Sequence, residues 1–211
     1  MTRQIELPCA CLLLALICGG CLSIADSPAP RFYALRTVPP DPAAKKLNAA
    51  NGMIVGIGPV KMPEYLNRPQ MVTLTTNSLL HFAQFDRWGE PLEFALPRII
   101  SEDLSALMPD AVIAVSPGNI NMPARYQVVM NIVRMDCRIG QDLNFAAQWT
   151  VINPENKKMI FMKKSEFVRP IEPHTYAGLA ETLSLACAAL SAEIAEELSR
   201  LAEQPNNTPD L

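Results

Sequence analysis

The chain has 211 residues, with 18 Lys and Arg against 21 Asp and Glu and a formal net charge of −3. This length suits one domain with enough chain to bury a core. The lack of a basic excess argues against nucleic acid as a partner.

The first twenty residues are typical of a secretory signal peptide. Arg3 provides a positive start, an apolar run extends from Leu7 to Ile17, and small residues lead to Cys21. The run is shorter than the ~20 residues of a membrane-spanning helix. Its Gly-Gly-Cys end resembles the lipobox of bacterial lipoproteins, in which the cysteine is acylated and becomes the new N-terminus. We therefore expect a lipid on Cys21; the alternative is an ordinary signal peptide cut near Ala25.

The rest of the chain predicts one periplasmic domain between two flexible ends. Residues 21–30 form a linker with two prolines, residues 31–204 the domain, and residues 205–211 a tail that we expect to be disordered. In the first half of the domain, β-branched and alternating stretches predict strands; they cover 31–35, 53–60, 70–75 and 78–84.

A helix is predicted after Trp88, followed by a short strand at 111–115. Apolar residues from Leu92 to Leu107 recur at helical spacing. Pro91 falls near the first turn, where its missing N–H costs nothing. Pro97 falls inside the pattern, so we expect a kink there or a first turn split off from the rest.

The second half predicts a three-strand meander and a long helix. The strands cover 126–139, 143–152 and 158–168, and the middle one alternates apolar with polar residues, as in a sheet with one buried face. The helix covers 174–203 and has one apolar face. Together the elements predict an α+β domain, a mostly antiparallel sheet with two main helices packed on one face.

The sequence offers no pattern of catalytic residues, metal ligands or cofactor loops. The two histidines, His81 and His174, stand in no metal-binding motif, and Cys137 and Cys187 lack the spacing of zinc ligands. No G-x-S-x-G nucleophile motif occurs. We therefore expect no catalytic residue, no metal site, no cofactor and no enzymatic activity.

Three segments stand out as candidates for contact with partners. The loop 59–70 is stiffened by prolines, and we take its residues Met62, Tyr65, Leu66 and Arg68 as a candidate partner surface; inward packing of Tyr65 and Leu66 is an equal alternative. Trp88 is favoured as a residue at the edge of the core over a binding platform. A basic stretch is favoured as the solvated face of an edge strand over a contact with anionic headgroups; it comprises Lys157, Lys158, Lys163, Lys164 and Arg169.

Two cysteines remain after removal of the signal peptide and acylation of Cys21. Cys187 lies on the apolar face of the last helix, and Cys137 alternates with Val133 and Met135 along its strand. If that helix covers that face of the sheet, both thiols point inward. They then form either a disulfide or two buried free thiols, depending on whether their Cα atoms lie within ~7 Å.

Several segments together resemble one family, the PqiC-like ABC-type transport auxiliary lipoproteins. The lipobox is followed by Arg31-Phe32-Tyr33-Ala34-Leu35, and Ala147-Gln148-Trp149 lies further along. Most of the specificity comes from residues 63–70 (PEYLNRPQ) and 87–92 (RWGEPL); in the second of these, Gly89 replaces the alanine common in the family.

The resemblance implies a lipid-anchored adaptor that works with an MCE-domain transport protein in moving lipids between the inner and outer membranes. It also implies a homo-oligomer. Leu22 after the anchor, in place of Asp, suggests the periplasmic face of the outer membrane over the inner membrane. The alternative is a carrier that itself holds a lipid or hydrophobic solute beneath the long helix, which would require an apolar cavity of at least ~300 Å³.

Overall fold

A computed structural model describes residues 28–39, 47, 52–75, 78–116 and 123–203. The predicted signal peptide, Cys21 and the predicted C-terminal tail lie outside these residues, and so do Thr76 and Asn77 between two of the predicted strands.

Eight strands and two long helices make up the described part of the chain, which confirms the α+β class. The strands are β1 (Arg31–Tyr33), β2 (Ile54–Lys61), β3 (Gln70–Leu74), β4 (Leu80–Trp88), β5 (Val112–Val115), β6 (Tyr126–Cys137), β7 (Asp142–Ile152) and β8 (Met159–Pro170). The helices are α1 (Leu92–Leu107) and α2 (Tyr176–Glu203), and a 3₁₀ turn covers Glu64–Leu66.

The strands form two sheets, and both are mixed rather than mostly antiparallel. The larger sheet has the order β5-β2-β6-β7-β8, and the smaller one has the order β1-β4-β3. β2 runs parallel to both of its neighbours, and β1 runs parallel to β4. The remaining pairs, β3–β4, β6–β7 and β7–β8, are antiparallel as expected. The parallel pairs join strands that are distant along the chain, so local patterns could not predict them.

The two helices pack on each other and on the larger sheet. α1 contacts β2 and β5, while α2 contacts β7 and β8. α1 continues through Pro97, so of the two predicted alternatives, a kink or a first turn split off from the rest, the second is wrong. α2 is long and apolar enough to cross a membrane by length and composition alone, but 61% of its most apolar window is buried inside the protein. Its apolar face is therefore used by the core.

A bulge in β6 changes which residues of that strand face the core. The pairing with β7 shifts between Ile132 and Arg134, so Val133 turns to solvent whereas Met135 and Cys137 are buried. The expected alternation of Val133 with Met135 and Cys137 on one face is therefore wrong, because one extra residue reverses the side on which the following residues point.

Cys137 and Cys187 are both buried, and both are free thiols, the second of the two predicted states. Burial raises the pKa of the Cys137 thiol to about 12 and also raises the pKa of Cys187. Both thiols are therefore protonated and unreactive in the folded protein.

β8 is an edge strand of the larger sheet, in agreement with the favoured interpretation of its basic residues. Lys158, Lys163 and Lys164 are exposed, and Lys163 pairs with Glu193 of α2 at 3.0 Å. Exposed lysines of this kind discourage pairing of the edge with another strand.

Candidate functional site

The three segments with the most distinctive sequences meet in the small sheet. Arg31, Phe32 and Tyr33 of β1 pair in register with Asp86, Arg87 and Trp88 of β4. The backbone N–H of Trp88 donates to the carbonyl of Pro69 at 2.8 Å, and that of Gly89 donates to the carbonyl of Tyr33 at 2.7 Å. We call residues 31–33, 63–70 and 86–89 the motif cluster. Its members are distant along the chain but adjacent in the fold.

The buried carboxylate of Asp86 fastens β1 to the rest of the domain. Arg31 donates to its two oxygens from Nε at 2.8 Å and from Nη2 at 2.9 Å, and the Tyr33 hydroxyl donates to Oδ1 at 2.8 Å. Burial by itself would raise the pKa of Asp86, but the hydrogen bonds from Arg31 and Tyr33 outweigh it and hold the pKa below its usual value. Asp86 is thus ionised, and its role is structural.

Several side chains of the loop 62–68 pack against the core of the protein instead of facing solvent. Leu66 is only 2% exposed and belongs to the core, while Met62 and Tyr65 are half-buried against it. The prediction of Leu66 as a partner-binding residue is therefore wrong. The cause is the 3₁₀ turn Glu64–Leu66, which follows Pro63 and turns the end of the loop toward the core.

Trp88 is also part of the core. It is the last residue of β4 and is 5% exposed, which agrees with the favoured interpretation and removes it from the candidate partner surface. Gly89, next to it, has room for the alanine that the family commonly shows. A Cβ there would lie 3.4 Å from the carbonyl oxygen of Tyr33, an ordinary contact distance.

The other face of the small sheet is exposed and combines aromatic with cationic side chains. Phe32 stands opposite Arg87, and Arg87 stands opposite Gln70. Beyond a shift in the register of β3 and β4, the exposed Phe82 stands opposite Val72, which is buried. We call this surface, with Arg68, the outer sheet face.

The outer sheet face has two exposed phenylalanine rings and two arginines whose Nε atoms make no hydrogen bond. Phe32 is 63% exposed and Phe82 41% exposed, and the Arg68 guanidinium lies over the Phe82 ring at 4.1 Å from its centroid. The Nε atoms of Arg68 and Arg87 are buried without a hydrogen-bond partner. Of these residues, only Arg68 belongs to the partner surface predicted from the sequence. Alternation along β1 could have indicated Phe32, since Arg31 and Tyr33 point to the other side.

The space between α2 and the larger sheet is filled by side chains. Phe145 and Trp149 of β7 and Leu190 and Ile194 of α2 are fully buried there. Trp149 donates from Nε1 to Ser165 at 3.0 Å. Ser165 in turn donates to Glu193. Within the described segments, no group of three or more His, Cys, Asp or Glu side chains could hold a metal ion.

Comparison with known proteins identifies the family to which this chain is similar. The family model for the ABC-type transport auxiliary lipoprotein component matches residues 33–195. No curated protein matches the sequence.

Two crystal structures share the fold. One, described only as an uncharacterized protein, is 18% identical with a TM-score of 0.66, and the match covers 81% of this chain and 99% of the other. The second, a protein from Xanthomonas campestris, is 14% identical with a TM-score of 0.63, and the match covers 82% and 98%. The family match spans most of the domain, including the motif cluster from Tyr33 onward. The chain belongs to the family of ABC-type transport auxiliary lipoproteins.

Proposed function

We propose that this lipoprotein is an adaptor that holds an MCE-domain transport protein at a membrane surface while lipids move between the inner and outer membranes. In this proposal Cys21 is acylated, the anchor lies in the outer membrane because Leu22 follows the cysteine, and several copies assemble around the transport path. The partner surface includes the half-buried side chains of Met62 and Tyr65 and the exposed residues between and after them.

The observation that carries the proposal is the structure of the motif cluster. On one face of the small sheet, Arg31 and Tyr33 of β1 are hydrogen-bonded to Asp86 of β4. These bonds hold β1, the first strand after the predicted linker, against β4. The loop of the motif cluster keeps Glu64 and Asn67 exposed on a turn whose other side is fixed in the core by Leu66. A rigid surface of this kind loses little conformational entropy on binding a partner.

The alternative function, a carrier for a lipid or hydrophobic solute, is less well supported. It requires an apolar cavity beneath α2, and the fully buried Phe145, Trp149, Leu190 and Ile194 occupy that position. A domain with a filled interior binds through its surface.

Photo-crosslinking in intact membranes tests the proposal. A benzophenone amino acid replaces Asn67 in the full-length lipidated protein, and a matched control carries it at Lys158 on the β8 edge; both positions are exposed. We expect the MCE-domain protein to be crosslinked at position 67 and not at position 158.

Mass spectrometry of the purified lipoprotein distinguishes the alternative. A phospholipid that co-purifies in equimolar amount, in addition to the acyl anchor, together with no crosslink to the MCE-domain protein at position 67, would overturn the adaptor proposal in favour of the carrier.

A further inference from the structure

The chain enters β1 from the end of the small sheet at which β4 begins. β1 runs parallel to β4, with Arg31 opposite Asp86. The chain before Arg31 therefore comes from the side on which β4 begins, at Leu80. The register of β4 shifts against β3, so its residues Arg87 and Leu80 stand opposite Gln70 and Leu74, which are four residues or about 13 Å apart. The start of β4 therefore lies beyond Arg31 on the side from which the chain enters β1.

Exposed apolar and cationic groups lie along the small sheet from the start of β4 to its end. Leu79, directly before β4, is 67% exposed. Phe82, on which Arg68 is stacked, is the third residue of β4, and Arg87, which stands opposite the exposed Phe32, is the eighth. Two guanidinium groups therefore lie beside three exposed apolar side chains.

We infer that the outer sheet face, together with Leu79, lies against the anionic headgroups of the lipid bilayer. This inference rests on the acylation of Cys21 in the proposed function. The ten residues from Cys21 to Arg31 reach at most about 35 Å. The paired length of the small sheet is about a third of that reach, so the tether is long enough for both Leu79 and the pair of Phe32 and Arg87 to lie at the headgroups.

The chemistry of the face matches that surface. Arg68 and Arg87 are half-buried residues of this face, and guanidinium groups bind phosphate oxygens through charge-assisted hydrogen bonds. Phenylalanine and leucine side chains enter the boundary between headgroups and acyl chains, which is how interfacial segments gain affinity. An acidic segment of a partner protein would satisfy the arginines equally well, but the short tether favours the bilayer.

Vesicle binding tests the inference with the anchor removed. The mature chain, residues 21–211 with Cys21→Ser, is sedimented with vesicles of phosphatidylcholine alone or with added phosphatidylglycerol. We expect binding to the anionic vesicles that weakens as salt is raised. Each arginine near the surface contributes about five-fold to the partition coefficient, so Arg68→Gln/Arg87→Gln should lower it about thirty-fold.

A matched control removes two charges elsewhere. Lys158→Gln/Lys164→Gln acts on the β8 edge, outside the small sheet, and should change the partition coefficient less than about two-fold because distant charges are screened. Far-UV circular dichroism and the melting temperature show whether each variant is folded.

A second variant keeps the inference testable if the double arginine variant fails to fold. Leu79→Trp places a fluorophore at an exposed position, while the native Trp88 and Trp149 are buried and provide a constant background. We expect its emission to shift to shorter wavelengths when anionic vesicles are added.

Two results would overturn the inference. One is an equal loss of vesicle binding in the arginine and lysine variants without a shift at position 79. The other concerns the arginine variant: its vesicle partition coefficient is unchanged, but it no longer binds the MCE-domain protein when vesicles are absent. The outer sheet face would then be a contact surface for a protein partner. Neither result depends on the crosslink at position 67. The crosslinking experiment therefore tests the adaptor proposal independently of the vesicle experiments.

Discussion

Asp103 is a buried carboxyl group at the contact between the two helices. It lies on α1 and accepts hydrogen bonds from Ser191 of α2 at 3.3 Å and from the backbone N–H of Val38, and its Oδ1 atom has no hydrogen-bond partner. Burial is the main reason that its pKa is raised to about 6, and the hydrogen bonds from Ser191 and Val38 only partly offset it. At neutral pH the folded protein therefore contains a poorly solvated charge.

Replacing Asp103 by Asn should stabilise the protein at neutral pH and have little effect in acid. The folded pKa of about 6 exceeds the unfolded value of ~4, so the stability that Asp103 contributes is present below pH ~4 and is lost as the pH rises through about 6. We expect Asp103→Asn to raise the free energy of unfolding by about 2–3 kcal/mol at pH 8 and to match the wild type at pH 4. Urea unfolding at both pH values measures this.

The control for this prediction is Glu196→Gln, which removes an exposed acid from α2. Its stability should follow that of the wild type at each pH. If the stability of Asp103→Asn also follows the wild type, the carboxyl group at position 103 is better solvated than the structure shows.

Asp86 shows the opposite behaviour, since its pKa is lowered. Its contribution to stability is present above the unfolded pKa and is lost as the pH falls below it. We expect Asp86→Asn to lower the free energy of unfolding at pH 7 by about 1–3 kcal/mol, because hydrogen bonds to a buried charged group are weakened. β1 should also become sensitive to limited proteolysis.

Asp110→Asn, which changes an exposed acid after α1, is the control for Asp86. The prediction is wrong if the two variants have equal unfolding midpoints and β1 is still protected from protease. The hydrogen bonds of Arg31 and Tyr33 to Asp86 would then not be needed to hold the first strand.

The two helices differ in how they begin. α1 follows Pro91 without a side-chain cap. α2 follows Thr175, whose hydroxyl oxygen accepts a hydrogen bond from the backbone N–H of Gly178 at 3.1 Å. This first turn of α2 lies directly on the preceding loop. A Cβ at Gly178 would lie 1.9 Å from the carbonyl oxygen of Pro173 and 2.9 Å from its nitrogen.

Gly178→Ala should therefore destabilise the protein strongly. The added methyl group meets backbone atoms, which cannot rotate away as a side chain can, so we expect a loss of about 3 kcal/mol or more in the free energy of unfolding. Gly89→Ala is the matched control, because its Cβ would lie at an ordinary 3.4 Å from the nearest atom. Similar melting temperatures for the two variants would mean that the first turn of α2 can shift away from the loop.

The elements of this protein were more predictable than their arrangement. Hydrophobic periodicity located all eight described strands and both helices, since burial on one face determines local patterns. It could not show that β2 lies between β5 and β6, nor that the bulge in β6 turns Val133 outward, because both depend on pairing with distant residues.

The site was predicted only in part, for a related reason. Proline content indicated the loop 62–68 but not the inward turn of Leu66, which depends on the position of the core. The outer sheet face required the register of β1 on β4 before Phe32, Arg87 and Phe82 could be recognised as neighbours.

At the scale of the whole molecule, attachment to the membrane is expected to depend on Cys21. Acyl chains contribute about 0.8 kcal/mol per buried CH₂ group, whereas a surface contact of the kind proposed for the outer sheet face is reversible. We expect Cys21→Ser to yield a soluble or uncleaved form, measured by membrane flotation and intact mass. If a variant of mature mass still floats with the membranes, the acylation site is elsewhere.

The position of β2 between β5 and β6 in the larger sheet has a consequence for the order of folding. The meander β6-β7-β8 consists of neighbouring hairpins and can form through short-range contacts. β2 pairs with β6 across about seventy residues, from Val55 to Tyr126, and closing such a long loop costs entropy before any contact repays it. We therefore expect the sheet to reach its full width only after the C-terminal half of the domain has been made, and the insertion of β2 to be a slow step of folding.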